Sequence, residues 1–111
     1  MRLVREQIEV WVEALRSGEY EQGGGRLRRG ERYCVLGVLC DTLDPSGWVT
    51  PVYTLDSEWK GDRYGLPGWV LRDLAYTDLE ARLVHDNDYG VSFEALARLI
   101  EAQLDRFPRA A

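Results

Sequence analysis

The stretch that most constrains this chain is "YCVLGVLCDTLDP", residues 33 to 45. Tyr33 to Cys40 is apolar almost without a break, so the segment has to be covered on most sides. At this length periodicity alone fits a buried strand as well as a buried helix. Val35, Leu36, Leu39 and Leu43 favour a helix, and Asp44-Pro45 is a natural stop. We therefore take 33–43 as a central helix around which the rest is arranged.

Val4, Ile8, Trp11, Val12 and Leu15 recur at i, i+4, i+7, i+8 and i+11, one apolar stripe of a first helix. Glu6, Glu9, Glu13 and Arg5 occupy its other faces, and Ser17-Gly18 ends it. Gly23, Gly24, Gly25 and Gly30 then exclude regular helix. Arg26-Leu27-Arg28 reads as a short strand that turns at Arg29-Gly30 and returns through Arg32-Tyr33. "SGWVTPVYTLDSEWKGDRYGLP" predicts two short edge strands, near 48–54 and 58–64. Pro67 suits the first turn of a short helix through Trp69, Val70 and Leu74. Thr77 and Glu80 form a capping box that opens a helix through about Val84. "DNDYGVS" reads as a loop, and Ser92 caps a last helix whose residues Phe93, Leu96, Ala97, Ile100, Leu104 and Phe107 run to Pro108. The expectation is a mainly helical α+β fold, one domain over residues 1–111, with about four to five helices and a small β hairpin or sheet.

At 111 residues the chain is long enough for one core without staples. Its formal net charge is −5, made of −2 over residues 1–22, +3 over 23–32 and −6 over 33–111. That balance argues against broad nucleic-acid binding, which needs lysine and arginine clustered over a face. No apolar run is long enough for a membrane span or a signal peptide, so a cytoplasmic protein is expected. Cys34 and Cys40 read as free buried thiols in a reducing compartment.

Few residue sets carry chemistry. "DNDYGVSFE" fails as a calcium loop, because the glycine is fifth and Ala97 stands at twelve. Two cysteines in one buried run and the sole histidine, His85, do not make a zinc site. No metal and no cofactor are expected. A cysteine hydrolase built on Cys34 or Cys40 with His85 and Asp86 is the alternative class, as is one using paired carboxylates. Thiolate is disfavoured in so apolar a segment, and His85 suits the end of a helix. The loop "GGGRLRRGER" is the remaining candidate. Successive glycine amides can make a nest for an anion, and guanidiniums can fork onto phosphate oxygens. Gly24, Gly25, Arg26, Arg28 and Arg29 are the expected ligand-binding residues, set against a plain surface hairpin whose arginines pair with nearby glutamates. No Walker or dinucleotide pattern accompanies them.

Three blocks of this chain form a pattern: "WVEALRSGEYEQGGGRL", "YCVLGVLCD" and "LVHDNDYGVSFEALARLIE". Together, from Trp11 to Glu101, they resemble a group of small proteins of tailed phages and their bacterial hosts. Members of that group look like W-x2-AL-x-SG-x-Y-x-Q-x-x-G-x-L, then YCCLGVLCD, then an Asn-Asp pair before a final helix. Val35 stands where a second cysteine is usual, which argues against chemistry of a vicinal thiol pair. His85-Asp86 replaces the usual leucine-asparagine, while Asn87-Asp88 keeps the Asn-Asp pair. The resemblance implies a setting among phage accessory genes; taken with the residues, the expectation is a counter-defence or host-modulating protein that acts in the host cytoplasm by binding and not by catalysis. Its expected partner is a host protein, met through the acidic surface, or a nucleotide-type anion held by the Gly-Arg loop. A homo-oligomer stays open.

Overall fold

The computed structural model describes residues 2–69 and 71–111. Helix α1 spans Arg5–Arg16, and its stripe Ile8, Trp11, Val12 and Leu15 is buried, as its spacing requires. The Gln7 side chain accepts the Val4 amide at 2.9 Å and closes the helix start. Gly18 takes the left-handed conformation, φ +79°, that ends it.

Helix α2, Val35–Leu43, is the centre of the molecule. Val35, Leu36, Val38, Leu39 and Cys40 are fully buried, which is what its unbroken apolar run demands. Cys34 stands just outside the helix, its Sγ accepting the Gly37 amide at 3.4 Å. Helix α3, Asp78–Asp88, and helix α4, Phe93–Glu101, complete the helical layer, α1 packing on both α2 and α4.

Five very short strands form the second layer: β1 Glu21–Gln22, β2 Arg28–Arg29, β3 Arg32–Tyr33, β4 Trp48–Val49 and β5 Asp56–Trp59. Their order is β1-β3-β2-β5-β4. The expected hairpin is present but displaced: its first strand is Arg28–Arg29 and not 26–28, and the turn falls at Gly30-Glu31, with Arg28 opposite Tyr33 and Arg29 opposite Arg32. On its other side β2 pairs antiparallel with β5, which sets Arg29 opposite Asp56. One continuous core joins the layers, with Trp11 and Trp59 as its largest fully buried side chains. The fold is α+β. No helix among the described residues is long and apolar enough to cross a membrane.

Several expectations need correction. The strands near 48–54 and 58–64 are shorter: β4 stops before Pro51, which lacks a ladder donor, and β5 stops at a turn through Lys60 and Gly61, both at positive φ. The described residues 67–69 and 71–76 form a series of turns, not a helix. Leu71 and Ala75 donate to Pro67 and Leu71, but Tyr76 sits at φ +65° and breaks the progression; Val70 lies outside the described residues. Asp86, Asn87 and Asp88 are helical and not loop. Leu79, Leu83 and Asn87 share one buried face, so α3 runs on until Gly90 turns at φ +88°. Thr77 caps α3 as expected, accepting the Glu80 amide, yet the Glu80 carboxylate serves the amides of Leu66 and Tyr76 instead of closing a box. Helix α4 ends at Glu101, and a separate 3-10 turn, Leu104–Arg106, carries Leu104 to the core's edge.

Candidate functional site

The Gly-Arg loop is held at its midpoint by Leu27, whose side chain is fully buried. Its carbonyl accepts the Cys34 amide at 3.0 Å, and its amide donates to the Arg63 carbonyl at 2.7 Å. Gly24, Gly25, Arg26 and Arg29 meet acids of the same chain, whereas Arg28, the neighbour of Arg29 in β2, lies on the opposite face of the sheet. The Gly25 amide donates to Asp88 Oδ1 at 2.9 Å, and Gly24 lies against the same carboxylate. Arg26 Nε reaches Asp56 Oδ2 at 2.7 Å and Arg29 Nη1 reaches Asp56 Oδ1 at 3.1 Å. Asp56 is only 5% exposed, so this pair of guanidiniums compensates a buried charge. The hydrogen bond to Asp56 holds the Arg26 guanidinium above its ordinary pKa. Arg32 meets Glu21 at 3.0 Å. Of the +3 island, Arg28 alone has no carboxylate partner among the described residues. It donates to the Gly30 carbonyl and lies over the rings of Tyr33 and Trp48, at 5.0 and 5.5 Å.

The thiols are set for packing. Cys34 is 6% exposed and Cys40 is fully buried. Burial pushes the Cys34 thiol up to about 11 and the Cys40 thiol well above its ordinary value. His85 projects to solvent near the end of α3, stacked on Tyr89 with ring centres 4.6 Å apart and its Nδ1 3.1 Å from Asp86. Such thiols stay protonated at neutral pH, and protonated thiol is a poor nucleophile.

The residues of the repeated pattern build structure. Trp11 Nε1 donates to the Val35 carbonyl at 2.9 Å, tying α1 to the first turn of α2. Tyr20 Oη and Trp48 Nε1 both donate to Asp41, and Tyr33 packs edge-on between their rings. Buried Asn87 accepts from Gln22 Nε2 and from the Val35 amide, and donates to the Gly23 carbonyl at 2.7 Å. Gln22 also donates to the Val91 carbonyl at 2.7 Å. The pattern contains Trp11, Tyr20, Gln22, Asp41 and Asn87 but not their roles, because Trp11, Tyr20, Gln22 and Asn87 work through partners more than 20 positions away.

A second feature went unforeseen. Between α1 and the end of α4 lies a groove of about 270 Å³ lined by Glu9, Val12, Glu13, Arg16, Glu101 and Leu104. Val12 and Leu104 give it an apolar floor. Arg16 is turned toward α4, its two terminal nitrogens on Glu101 at 2.8 Å each and its Nε on Glu94 at 3.0 Å. That fork holds the Glu101 carboxyl below its usual range. Glu9 and Glu13 have no ion-pair partner among the described residues. The available signal was their four-residue spacing, a like-charge pair that costs an isolated helix a few tenths of a kcal/mol (~0.2–0.5). Among the described residues no three His, Cys, Asp or Glu side chains converge to hold a metal.

Neither a curated protein nor a solved structure matches the chain significantly. A family model described as a domain of unknown function, DUF8296, matches residues 4–75. The match takes in α1, the Gly-Arg loop, α2 and the sheet, and it stops short of α3 and α4. Since it covers well over half of the sequence, the chain belongs to the DUF8296 family.

Proposed function

We propose that this is a small accessory protein of the phage type its motifs resemble. It acts in the host cytoplasm by binding a basic surface of a host protein, as a counter-defence or host-modulating inhibitor. The observation that carries this reading is the fate of the charges. Three of the loop's four cations, Arg26, Arg29 and Arg32, are used inside the molecule, on Asp56 and Glu21, while Glu9 and Glu13 have no ion-pair partner among the described residues of a chain of net charge −5. A surface with uncompensated carboxylates steers toward positive partners and repels nucleic acid and nucleotides alike.

A second reading, capture of a nucleotide-type anion, rests on Arg28. Its guanidinium lies on two rings with no carboxylate attached, the arrangement in which arginine forks onto phosphate. Calorimetric titration at low salt separates the two. A peptide of alternating arginine and leucine is expected to bind saturably, while its glutamate counterpart and a panel of linear and cyclic nucleotides give no heat. Nucleotide binding without peptide binding would overturn the first reading in favour of the second.

A further inference from the structure

We infer that the α1–α4 groove is an arginine-specific docking site. One guanidinium of the partner lies across Glu9 and Glu13, and the apolar residue next to it lies on Val12 and Leu104. This rests on the basic-partner reading above and assigns it a place. On an isolated helix Glu13 would pair with Arg16 three residues on. The fold instead turns Arg16 toward α4, where it makes three hydrogen bonds to Glu94 and Glu101 and none to Glu13. The lining therefore carries three carboxylates against one guanidinium, a formal −2 over an apolar floor.

The shape of that charge selects arginine. Positions four apart on a helix have Cβ atoms about 5–6 Å from each other, a span that a planar guanidinium with donors on both edges can bridge. A lysine ammonium is a point charge and satisfies one carboxylate at a time. Glu9 and Glu13 stand on a regular helix whose opposite face is buried, so their backbone positions are fixed before binding. The acidic lining over Val12 and Leu104 matches a cation beside an apolar residue, which makes the occupant a short amphipathic basic segment of a protein.

The test is fluorescence anisotropy with a fluorescein-labelled peptide of alternating arginine and leucine, at low salt, on the full chain. Glu9→Gln/Glu13→Gln is expected to weaken binding about tenfold or more, since a hydrogen bond to a charged group is typically worth a factor of that size. Glu21→Gln/Glu31→Gln removes the same formal charge from the strand end and is expected to leave affinity unchanged. The lysine version of the peptide is expected to bind more weakly than the arginine version. All four positions are exposed, and melting temperatures verify that each variant is folded. If wild type binds the peptide but both double variants weaken it equally, net charge acts alone. The groove assignment then falls while the basic-partner reading stands. If wild type does not bind the peptide, the basic-partner reading falls, and the groove with it.

Discussion

Trp11→Ala is expected to destabilise the protein by about 3–5 kcal/mol, the range for truncating a large buried aromatic. Trp11 is fully buried on the α1 stripe, and its indole nitrogen holds the Val35 carbonyl. The change opens a cavity between the outer helix and the central one. It also leaves a carbonyl at the head of α2 without its side-chain donor. Folded domains usually retain only about 5–15 kcal/mol of stability, so the variant should unfold at a much lower urea concentration or fail to accumulate. Trp11→Phe keeps most of the packing and loses only the hydrogen bond, so it should fall well short of the alanine change. A urea midpoint for Trp11→Ala equal to that of wild type would show that α1 does not pack as described.

Gly37→Ala is the second large effect. A Cβ built on Gly37 would lie 1.9 Å from the Leu27 carbonyl oxygen and 2.8 Å from its carbon. That oxygen accepts the Cys34 amide, and Leu27 is itself core. The obstacle is therefore buried backbone rather than the end of a flexible side chain. Overpacking of a tight core typically costs about 1–3 kcal/mol and sometimes more, and this site belongs at the upper end. Helix propensity alone would favour alanine over glycine by roughly 1 kcal/mol, so the sign of the change discriminates. Equilibrium denaturation measures it: destabilisation is expected, and a stabilised variant would mean that the Leu27 backbone does not lie against Gly37.

Local signals made the helices readable in the sequence. The α1 stripe, the apolar run of α2, the Thr77 and Ser92 caps and the hairpin at Gly30 are written within a few residues of one another. The lost elements depended on distant partners. Asn87 looked like part of a polar loop because its three partners, Gln22, Val35 and Gly23, lie more than 50 positions away. The turns at 67–69 and 71–76 carry an apolar spacing compatible with a helix, and the positive φ of Tyr76, which no neighbouring residue announces, closes the segment. The same holds for the candidate sites. The Gly-Arg loop stood out as a charge island, but its counter-charges, Asp56 and Asp88, arrive from β5 and α3. The α1–α4 groove was invisible because it takes two elements far apart in the chain to form its walls. Its two bare glutamates were in view, but Arg16's commitment to α4 was not.

The most direct test of charge-selected binding on the helical face is a charge swap. Glu9→Lys/Glu13→Lys changes the formal charge of the groove lining from −2 to +2 without touching its apolar floor. Anisotropy titrations of this variant and of wild type would compare the arginine-leucine peptide with its glutamate-leucine counterpart. Wild type is expected to bind the first and reject the second, and the swapped protein to invert that preference. A folded variant that still prefers the arginine peptide would contradict the account.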